Sequence, residues 1–310
     1  NMAIIGTPFA RQHEGKHLIT TNVEHPAVLN TMNYLESQGF EVTYLPVNKV
    51  GQITPQQLKK ALRADTILVS VMYANNETGV IFPIEEIGEI LADHQATFHT
   101  DAVQVYGKIP LNPKAANIDL LSISAHKING PKGVGYLYQK EGVKLAKILH
   151  GGSQEEKRRA GTENLVGIVG MASAIDFLTQ EQQQINWEVY QQFHTYLLER
   201  LNQEGIQFEV NGDVEHHLPH ILNLRFFGVP SNLLLLHLDL QGIAISTGSA
   251  CSAGDVEPSH VLEAMYGKDH QSLKESIRIS FGYRNTQDEV VMLTDTLIAT
   301  VKRLKKDSSE

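Results

Sequence analysis

Short apolar segments alternate with helical patterns through about the first 180 residues, and this alternation constrains the fold more than any other feature. Six strands are predicted there, at residues 16–22, 41–47, 66–73, 97–103, 119–125 and 134–138. The stretches between them carry helix signals: residues 26–38 begin with Pro26 and are followed directly by Gly39. Strands that alternate with helices form mostly parallel sheets with right-handed crossovers. The sequence therefore predicts an α/β fold with a mostly parallel sheet.

The pattern changes near residue 181, where a polar helical stretch rich in glutamine and glutamate begins. Beyond it, short strands and amphipathic helices are predicted, with strands at residues 208–211, 220–227 and 243–247 and helices at residues 231–239, 258–266 and 286–305. We therefore predict two domains. Residues 1–181 form a large domain around the mostly parallel sheet, and residues 182–310 form a smaller α+β domain.

Charge and hydropathy narrow the classes of partner. The net charge is −9, from 26 basic and 35 acidic residues, and no basic run stands out. A surface of this charge disfavours direct binding of nucleic acid. The sequence has no apolar run long enough to span a bilayer, so we expect no membrane contact. The single cysteine, Cys251, cannot form an intramolecular disulfide and fits a reducing compartment, so we expect a cytoplasmic protein.

Polar residues directly after predicted strands are candidates for a ligand site, because ligands of open α/β sheets bind outside the carboxyl ends of the strands. Asp101 and Lys127 lie at the ends of two successive strands. A pyridoxal 5'-phosphate (PLP) enzyme requires this pair: a lysine that bonds to the cofactor aldehyde and a carboxylate that holds a proton on the pyridine nitrogen. The alternative is that Asp101 caps a loop and Lys127 is solvated. Their neighbours favour the PLP interpretation.

The residues around Lys127 can bind a phosphate. Ser124 and His126 precede it, and both side chains can donate hydrogen bonds to an anion. His25 lies between a strand and a proline-started helix, where an imidazole could stack on a planar cofactor and transfer protons, or make an ordinary helix-start contact. Asn76, in an Asn-Asn-Glu-Thr-Gly segment, could contact a ring oxygen or the substrate while also forming a turn.

Three further side chains are candidates outside these strand ends. Cys251 lies in a segment of Ser, Ala and Gly, which favours an exposed reactive thiol over a buried one. Arg278 lies within a further predicted strand at residues 276–280, where its side chain either faces solvent or binds a substrate carboxylate. Thr162 precedes a helix and either binds a phosphate with the helix N-terminus or caps the helix. The histidine pairs, His216 with His217 and His94 with His99, have no cysteines or carboxylates nearby at the spacing of zinc ligands, so we predict no metal site.

Six motifs together resemble the cysteine desulfurases of the NifS/IscS group, which belong to the class-V aminotransferase superfamily of fold-type I PLP enzymes. The motifs lie at residues 23–26 (VEHP), 74–79 (ANNETG), 99–104 (HTDAVQ), 124–133 (SAHKINGPKG), 249–251 (SAC) and 276–278 (SIR). Their order, spacing and residue types agree with the group across essentially the whole chain. The resemblance implies a PLP-transferase large domain and a small C-terminal domain that carries Cys251. Because members of the group begin with further residues upstream, we expect an N-terminally incomplete chain.

The resemblance also assigns the cofactor contacts. It implies that Lys127 holds PLP covalently, that Asp101 pairs with the pyridine nitrogen and that His25 stacks over the ring. The remaining contacts would be made by Asn76, Gln104, Ser124, His126 and Thr162. Of these, the first two would contact the ring oxygen and its neighbourhood, and the last three would bind the phosphate. Thr162 would reach in from the partner subunit, which implies a homodimer.

The same resemblance implies a reaction and its partners. Arg278, with Asn76, would bind the substrate L-cysteine, and Cys251 would attack the substrate sulfur, become a persulfide and leave L-alanine behind. The sulfur would pass to an acceptor protein, either an Fe-S scaffold for iron–sulfur cluster assembly or a tRNA-thiolation enzyme. Two alternatives stay open. One is a class-V aminotransferase or selenocysteine lyase, for which Cys251 is dispensable, and the other is a non-catalytic scaffold that binds sulfur-transfer partners.

Overall fold

The structure is a computed structural model that describes residues 1–248 and 258–307. Contacts within these residues divide them into two units, each described here by itself. Unit 1 contains residues 1–46, 53–75 and 82–183, and unit 2 contains residues 47–52, 76–81 and those described from 184 onward. The predicted domain boundary at 181/182 assigns the two short segments differently, and the division into functional domains stays a prediction.

Unit 1 is built on a sheet with the strand order β2-β1-β3-β4-β5-β6. Its strands are β1 (His17–Thr21), β2 (Glu41–Leu45), β3 (Thr66–Ser70), β4 (Thr97–Asp101), β5 (Leu120–Ser124) and β6 (Gly135–Gln139). The first five strands pair in parallel, and β6 pairs antiparallel with β5. The prediction of a mostly parallel sheet is thus confirmed.

The helices of unit 1 begin where the sequence carries caps and prolines. They are α1 (Met2–Arg11), α2 (Pro26–Ser37), α3 (Pro55–Ala61), α4 (Ile84–Leu91) and α5 (Leu165–Asp176). At the start of α3, Thr54 Oγ1 accepts from Gln57 N at 3.3 Å while Gln57 Oε1 accepts from Thr54 N at 2.7 Å. This reciprocal capping box satisfies two backbone donors that a helix start would otherwise leave unpaired.

The core of unit 1 fixes the central strands. β1 and β3 are buried along all five residues, the pattern of strands covered on both faces. α1 and α2 contribute the buried side chains of Ile4, Met32 and Leu35 to an apolar cluster that also includes Leu18 and Leu68 of these strands. Because the strands are parallel, the chain leaves β1, β3 and β4 at the same edge of the sheet.

Unit 2 contains an antiparallel sheet in which β8 lies between β7 and β9. Its strands are β7 (Phe208–Val210), β8 (Ile221–Phe226) and β9 (Ser276–Ser280). The helices that lie mostly or wholly in it are α6 (Gln180–Gln203), α7 (Ser231–Asp239), α8 (His260–Tyr266), α9 (Ser272–Glu275) and α10 (Gln287–Asp307). The sheet shares one apolar cluster with α6, α7 and α10, which includes Leu197, Leu224, Ile277 and Leu297. No helix in the described part of the chain is long and apolar enough to cross a membrane.

The predicted strand at residues 243–247 is wrong. This segment makes only an isolated bridge, in which Ser246 and Arg278 exchange backbone hydrogen bonds of 3.1 and 2.6 Å. Gly248 follows with a φ of 89°, a left-handed conformation that turns the chain out of an extended path. The apolar run therefore pairs with β9 at one point and does not extend into a ladder.

Candidate active site

Asp101 lies at the end of β4 in unit 1. Its Oδ1 accepts a hydrogen bond from Val103 N at 2.9 Å. Burial raises the pKa of Asp101, and the nearby charges of His25 and Lys127 partly offset that rise. The structure thus brings three of the predicted site residues within electrostatic reach of one another. A carboxyl group in this environment favours a positively charged or proton-sharing partner.

His25 is the residue that precedes α2, and its ring is oriented by the helix start. Its Nδ1 accepts a hydrogen bond from Ala27 N at 3.1 Å. An imidazole that accepts at Nδ1 carries its proton at Nε2 when it is neutral. The helix-start contact and a proton-transfer role are therefore compatible, because the contact involves Nδ1 and the transfer would use Nε2.

Glu24, directly before His25, is fully buried. Its Oε1 accepts hydrogen bonds from Met72 N and from Thr21 Oγ1, each at 2.9 Å. Burial raises the pKa of this carboxyl group to about 8, and the charge of Asp101 contributes to the rise. Sequence reasoning assigned no role to Glu24. The available signal was a carboxyl group in a turn between a buried strand and a proline-started helix.

Lys127 lies in a single 3₁₀ turn, Ala125–Ile128, that follows β5. The turn ends at Asn129, which is left-handed with a φ of 63°, and Gly130 N then donates to Ala125 O at 2.9 Å. Lys127 is exposed. This short turn places the predicted cofactor lysine directly after the end of a strand of the sheet.

The two predicted phosphate ligands beside Lys127 contact each other. Ser124 Oγ lies 2.7 Å from His126 Nδ1. Burial lowers the pKa of His126, and the positive charges of Lys127 and Lys132 lower it further. A neutral imidazole and a hydroxyl next to two lysines form a donor set that suits a phosphate.

Two other predicted cofactor residues lie in loops of unit 1. Gln104 is half-buried in the turn that follows β4. Thr162 is exposed, and the cap of α5 is Asn164, whose Oδ1 accepts from Gly167 N at 3.0 Å. Asn164 therefore performs the capping role that was considered for Thr162.

His99 makes hydrogen bonds that connect neighbouring strands of the sheet. It is buried in β4, with Nδ1 2.8 Å from Ser70 Oγ and Nε2 2.9 Å from Ser122 Oγ, so it connects β3, β4 and β5. Burial lowers its pKa to about 3, which keeps the ring neutral. Within residues 1–248 and 258–307, no three histidine, cysteine or carboxylate side chains are grouped so that they could bind a metal ion.

The predicted substrate residues Arg278 and Asn76 contact each other in unit 2. Arg278 Nη1 donates to Asn76 O at 2.8 Å. Asn76 is buried, and its Oδ1 has no hydrogen-bond partner among the residues that the structure describes. A buried amide without such a partner suits a polar ligand, because an unsatisfied polar group is costly. Cys251 lies outside the described residues.

Glu77 extends this cluster to the start of α8. It is buried, and its Oε2 accepts from Ser259 Oγ at 2.5 Å. Ser259 Oγ in turn accepts from Leu262 N at 3.1 Å and so caps the helix. The carbonyl oxygen of Glu77 accepts from Asn223 Nδ2 at 3.2 Å. The predicted substrate residues are thereby part of a network that joins four segments distant in the sequence, at residues 76–77, 223, 259 and 278.

We expect Ser259→Ala to lower the free energy of unfolding by about 2–4 kcal/mol. The substitution removes a helix cap, which contributes about 1 kcal/mol, and one donor to a buried carboxyl group, which contributes about 1–3 kcal/mol. Urea denaturation followed by circular dichroism measures the change. Ser280→Ala is the matched control, because Ser280 is exposed at the end of β9. Equal effects of the two substitutions would contradict the role of Ser259.

The arrangement in unit 1 fits PLP. It offers a lysine amine, a buried carboxyl group that favours a proton-sharing partner, an imidazole oriented through its Nδ1 and a hydroxyl–imidazole donor pair beside two lysines. These are the groups that a pyridine aldehyde with a phosphate requires. Together with the mostly parallel sheet, they define a PLP-dependent enzyme of the transferase type.

The sequence profile of the family described as aminotransferase class-V matches residues 1–293. The chain therefore belongs to the class-V aminotransferase family, whose cysteine desulfurase members are PLP-dependent. The resemblance to cysteine desulfurases of this superfamily and the PLP-transferase fold class, both predicted from the sequence, are confirmed.

Similar proteins carry desulfurase names. The chain is 54% identical over 304 residues to "Putative cysteine desulfurase IscS 1" of Bacillus subtilis (strain 168), covering 98% of this chain and 80% of that protein. It is 47% identical to the cysteine desulfurase IscS of Methanosarcina thermophila, covering 99% and 76%. Among solved structures, a NifS-like protein superposes with a TM-score of 0.89 at 34% identity, covering 98% and 80%. A structure described as SspA in complex with cysteine superposes with a TM-score of 0.76 at 36% identity, covering 91% of this chain and 78% of that chain.

Proposed function

We propose that this chain is a PLP-dependent cysteine desulfurase that converts L-cysteine to L-alanine and keeps the sulfur on Cys251 as a persulfide. The observation that carries the proposal is that Asp101, His25 and Lys127 lie within electrostatic reach of one another in unit 1. Each of the three belongs to one of the desulfurase motifs. Desulfurase names among relatives up to 54% identical support it. Residues 1–181 would form the cofactor domain, and residues 182–310 the small domain that carries Cys251.

PLP, when bound, supplies an electron acceptor for the bond that breaks at the substrate Cα. Lys127 would hold the cofactor and then remove the Cα proton, and Asp101 would keep a proton on the ring nitrogen. His25 would transfer protons through Nε2. The phosphate would bind Ser124 and His126, together with Thr162 of a second subunit, and Gln104 would contact the ring neighbourhood.

The sulfur transfer balances without an added oxidant. The thiolate of Cys251 would attack the sulfur of L-cysteine, forming a sulfur–sulfur bond as the carbon–sulfur bond breaks. The electron pair of the broken bond stays on carbon, which is protonated to give L-alanine. Arg278 would bind the substrate carboxylate as a planar, bidentate donor, with Asn76 beside it. The persulfide would then pass to an acceptor protein for iron–sulfur cluster assembly or tRNA thiolation. A reducing compartment, the cytoplasm, suits a free thiol at Cys251.

The reaction is tested by supplying L-cysteine and a reductant and measuring L-alanine and sulfide. We expect equal amounts of both, and we expect thiol alkylation to stop their formation. Continued activity after alkylation would indicate an aminotransferase or a selenocysteine lyase. A protein that takes up no PLP would indicate a non-catalytic scaffold.

A homodimer is also proposed, because α5 and the residue after it expose a large apolar surface. Leu165, Val166, Val169 and Phe177 are 69%, 86%, 64% and 75% exposed. Several strongly exposed apolar side chains close together in the sequence are typical of an interaction surface. A second copy of the chain is the partner that the family resemblance implies.

We expect Val166→Asp to shift the protein from dimer to monomer, because a charge would lie within the apolar surface. Sedimentation velocity measures the change. Val214→Asp is the control, since Val214 is 62% exposed in unit 2. A wild-type monomer, or an unchanged mass for Val166→Asp, would contradict the proposed dimer surface.

A further inference from the structure

Glu24 is a buried carboxyl group for which the proposed mechanism has no use. It is 0% exposed. The elements around it supply neutral donors: Thr21 Oγ1 from the end of β1 and Met72 N from the chain that leaves β3, both at 2.9 Å. The acidic group that acts on it is Asp101 at the end of β4, whose charge opposes ionisation of Glu24. Burying a charged carboxylate costs free energy, so a carboxyl group in these surroundings favours its neutral, hydrogen-bonded form.

The contacts of Glu24 fix the turn that carries His25. Glu24 joins this turn to Met72, and Asn75 Nδ2 donates to Val23 O at 3.0 Å, so the two residues before His25 are both held by the segment that follows β3. On the other side, His25 Nδ1 accepts from Ala27 N at 3.1 Å. The backbone before the ring and the ring itself are thereby each constrained.

We propose that Glu24 is a positioning residue whose buried carboxyl group fixes the turn of His25 and so sets the place of the imidazole relative to Asp101. The inference rests on the proposed function only in assigning His25 to the reaction on L-cysteine. Glu24 acts through the backbone and through His25, and it touches neither substrate nor cofactor.

The protonation state of Glu24 follows from its surroundings. Burial raises its pKa from 4.5 to about 8, so the group is mostly a neutral acid at pH 7. The pKa of Glu24 is higher in the folded state than in the unfolded state. The contribution of Glu24 to the free energy of unfolding is therefore complete below about pH 4.5 and is lost as pH rises through about 8. Above that pH, a second negative charge would face Asp101 and weaken the turn. The substitution Glu24→Gln would keep the shape and the acceptor of the neutral acid but would introduce a side chain that does not ionise.

The experiment compares the PLP-loaded wild type, Glu24→Gln and Glu24→Ala by infrared difference spectroscopy and by kinetics. We expect a carbonyl band of a protonated carboxyl group at pH 7 in the wild type, absent from Glu24→Gln and lost above about pH 8. We expect the kcat of Glu24→Gln at pH 7 to lie within about twofold of the wild-type value. At alkaline pH, we expect its kcat to decline less than the wild-type kcat does. Glu24→Ala should lower kcat by about tenfold or more with little change in KM, because the substrate carboxylate binds elsewhere.

Each outcome bears on the proposal. Absence of the infrared band at pH 7, a wild-type kcat for Glu24→Ala, or equal losses for Glu24→Gln and Glu24→Ala would overturn it. If Glu24→Ala does not fold, Thr21→Val removes one of the two donors, and we expect an intermediate loss of kcat; an unchanged kcat would overturn the proposal. A wild type that forms no alanine contradicts the proposed function instead, and the infrared band still tests the neutral Glu24.

Discussion

Lys127→Ala is expected to abolish alanine formation from L-cysteine. Loss of the proton transfer alone should reduce the rate by roughly 10²–10⁴-fold, and loss of the covalent link to PLP should remove the visible absorbance band of the bound cofactor. The fold should be retained, because Lys127 is exposed at the end of a short turn and exposed substitutions change stability by about 0.5 kcal/mol or less. Absorbance spectra and an alanine assay measure both effects.

Two control variants separate the chemistry from the charge. Lys127→Arg keeps a positive charge near Asp101 but cannot bond to an aldehyde, so we expect it to be as inactive as Lys127→Ala. Lys114→Ala removes an exposed lysine of unit 1 that has no place in the candidate site, and we expect at most a small change in activity. An active Lys127→Arg, or equal losses for Lys127→Ala and Lys114→Ala, would contradict the assignment of Lys127.

Cys251→Ala is expected to separate cofactor binding from sulfur transfer. The absorbance band of the bound cofactor should be unchanged, because Lys127 and Asp101 remain. Turnover of L-cysteine should fall by roughly 10³-fold or more, as it does when a catalytic nucleophile is removed. Ser252→Ala is the neighbouring control and should be close to wild type. Full turnover by Cys251→Ala would contradict a persulfide at this residue and favour a lyase that releases sulfur directly.

Local sequence signals predicted the elements of the fold well. The apolar runs of β1 and β3 and the prolines of α2 and α3 act over a few residues, so they can be recognised without knowledge of the tertiary structure. The strand predicted at residues 243–247 failed for the opposite reason. A strand needs a partner along its length, and this segment meets β9 only at Ser246.

The candidate site was predicted in part. Asp101 and Lys127 could be predicted as site residues because both follow strands, and the carboxyl ends of parallel strands meet at one edge. The burial and hydrogen bonds of Glu24 and Glu77 could not be predicted. Their burial depends on contacts with Met72 and Ser259, 48 and 182 residues away in the sequence, and no local pattern specifies such contacts. For the same reason, no local pattern could show that residues 47–52 and 76–81 belong to unit 2, because that assignment depends on contacts with residues far away in the sequence.

The central claim is that sulfur from L-cysteine is transferred to Cys251. The most direct measurement mixes the PLP-loaded protein with one equivalent of L-cysteine in the absence of reductant, then determines alanine and analyses the peptide that contains Cys251 by mass spectrometry. The account predicts one alanine per active site and a mass increase of one sulfur atom on Cys251, which a reductant removes as sulfide. Alanine formed with no added sulfur on Cys251 would contradict it.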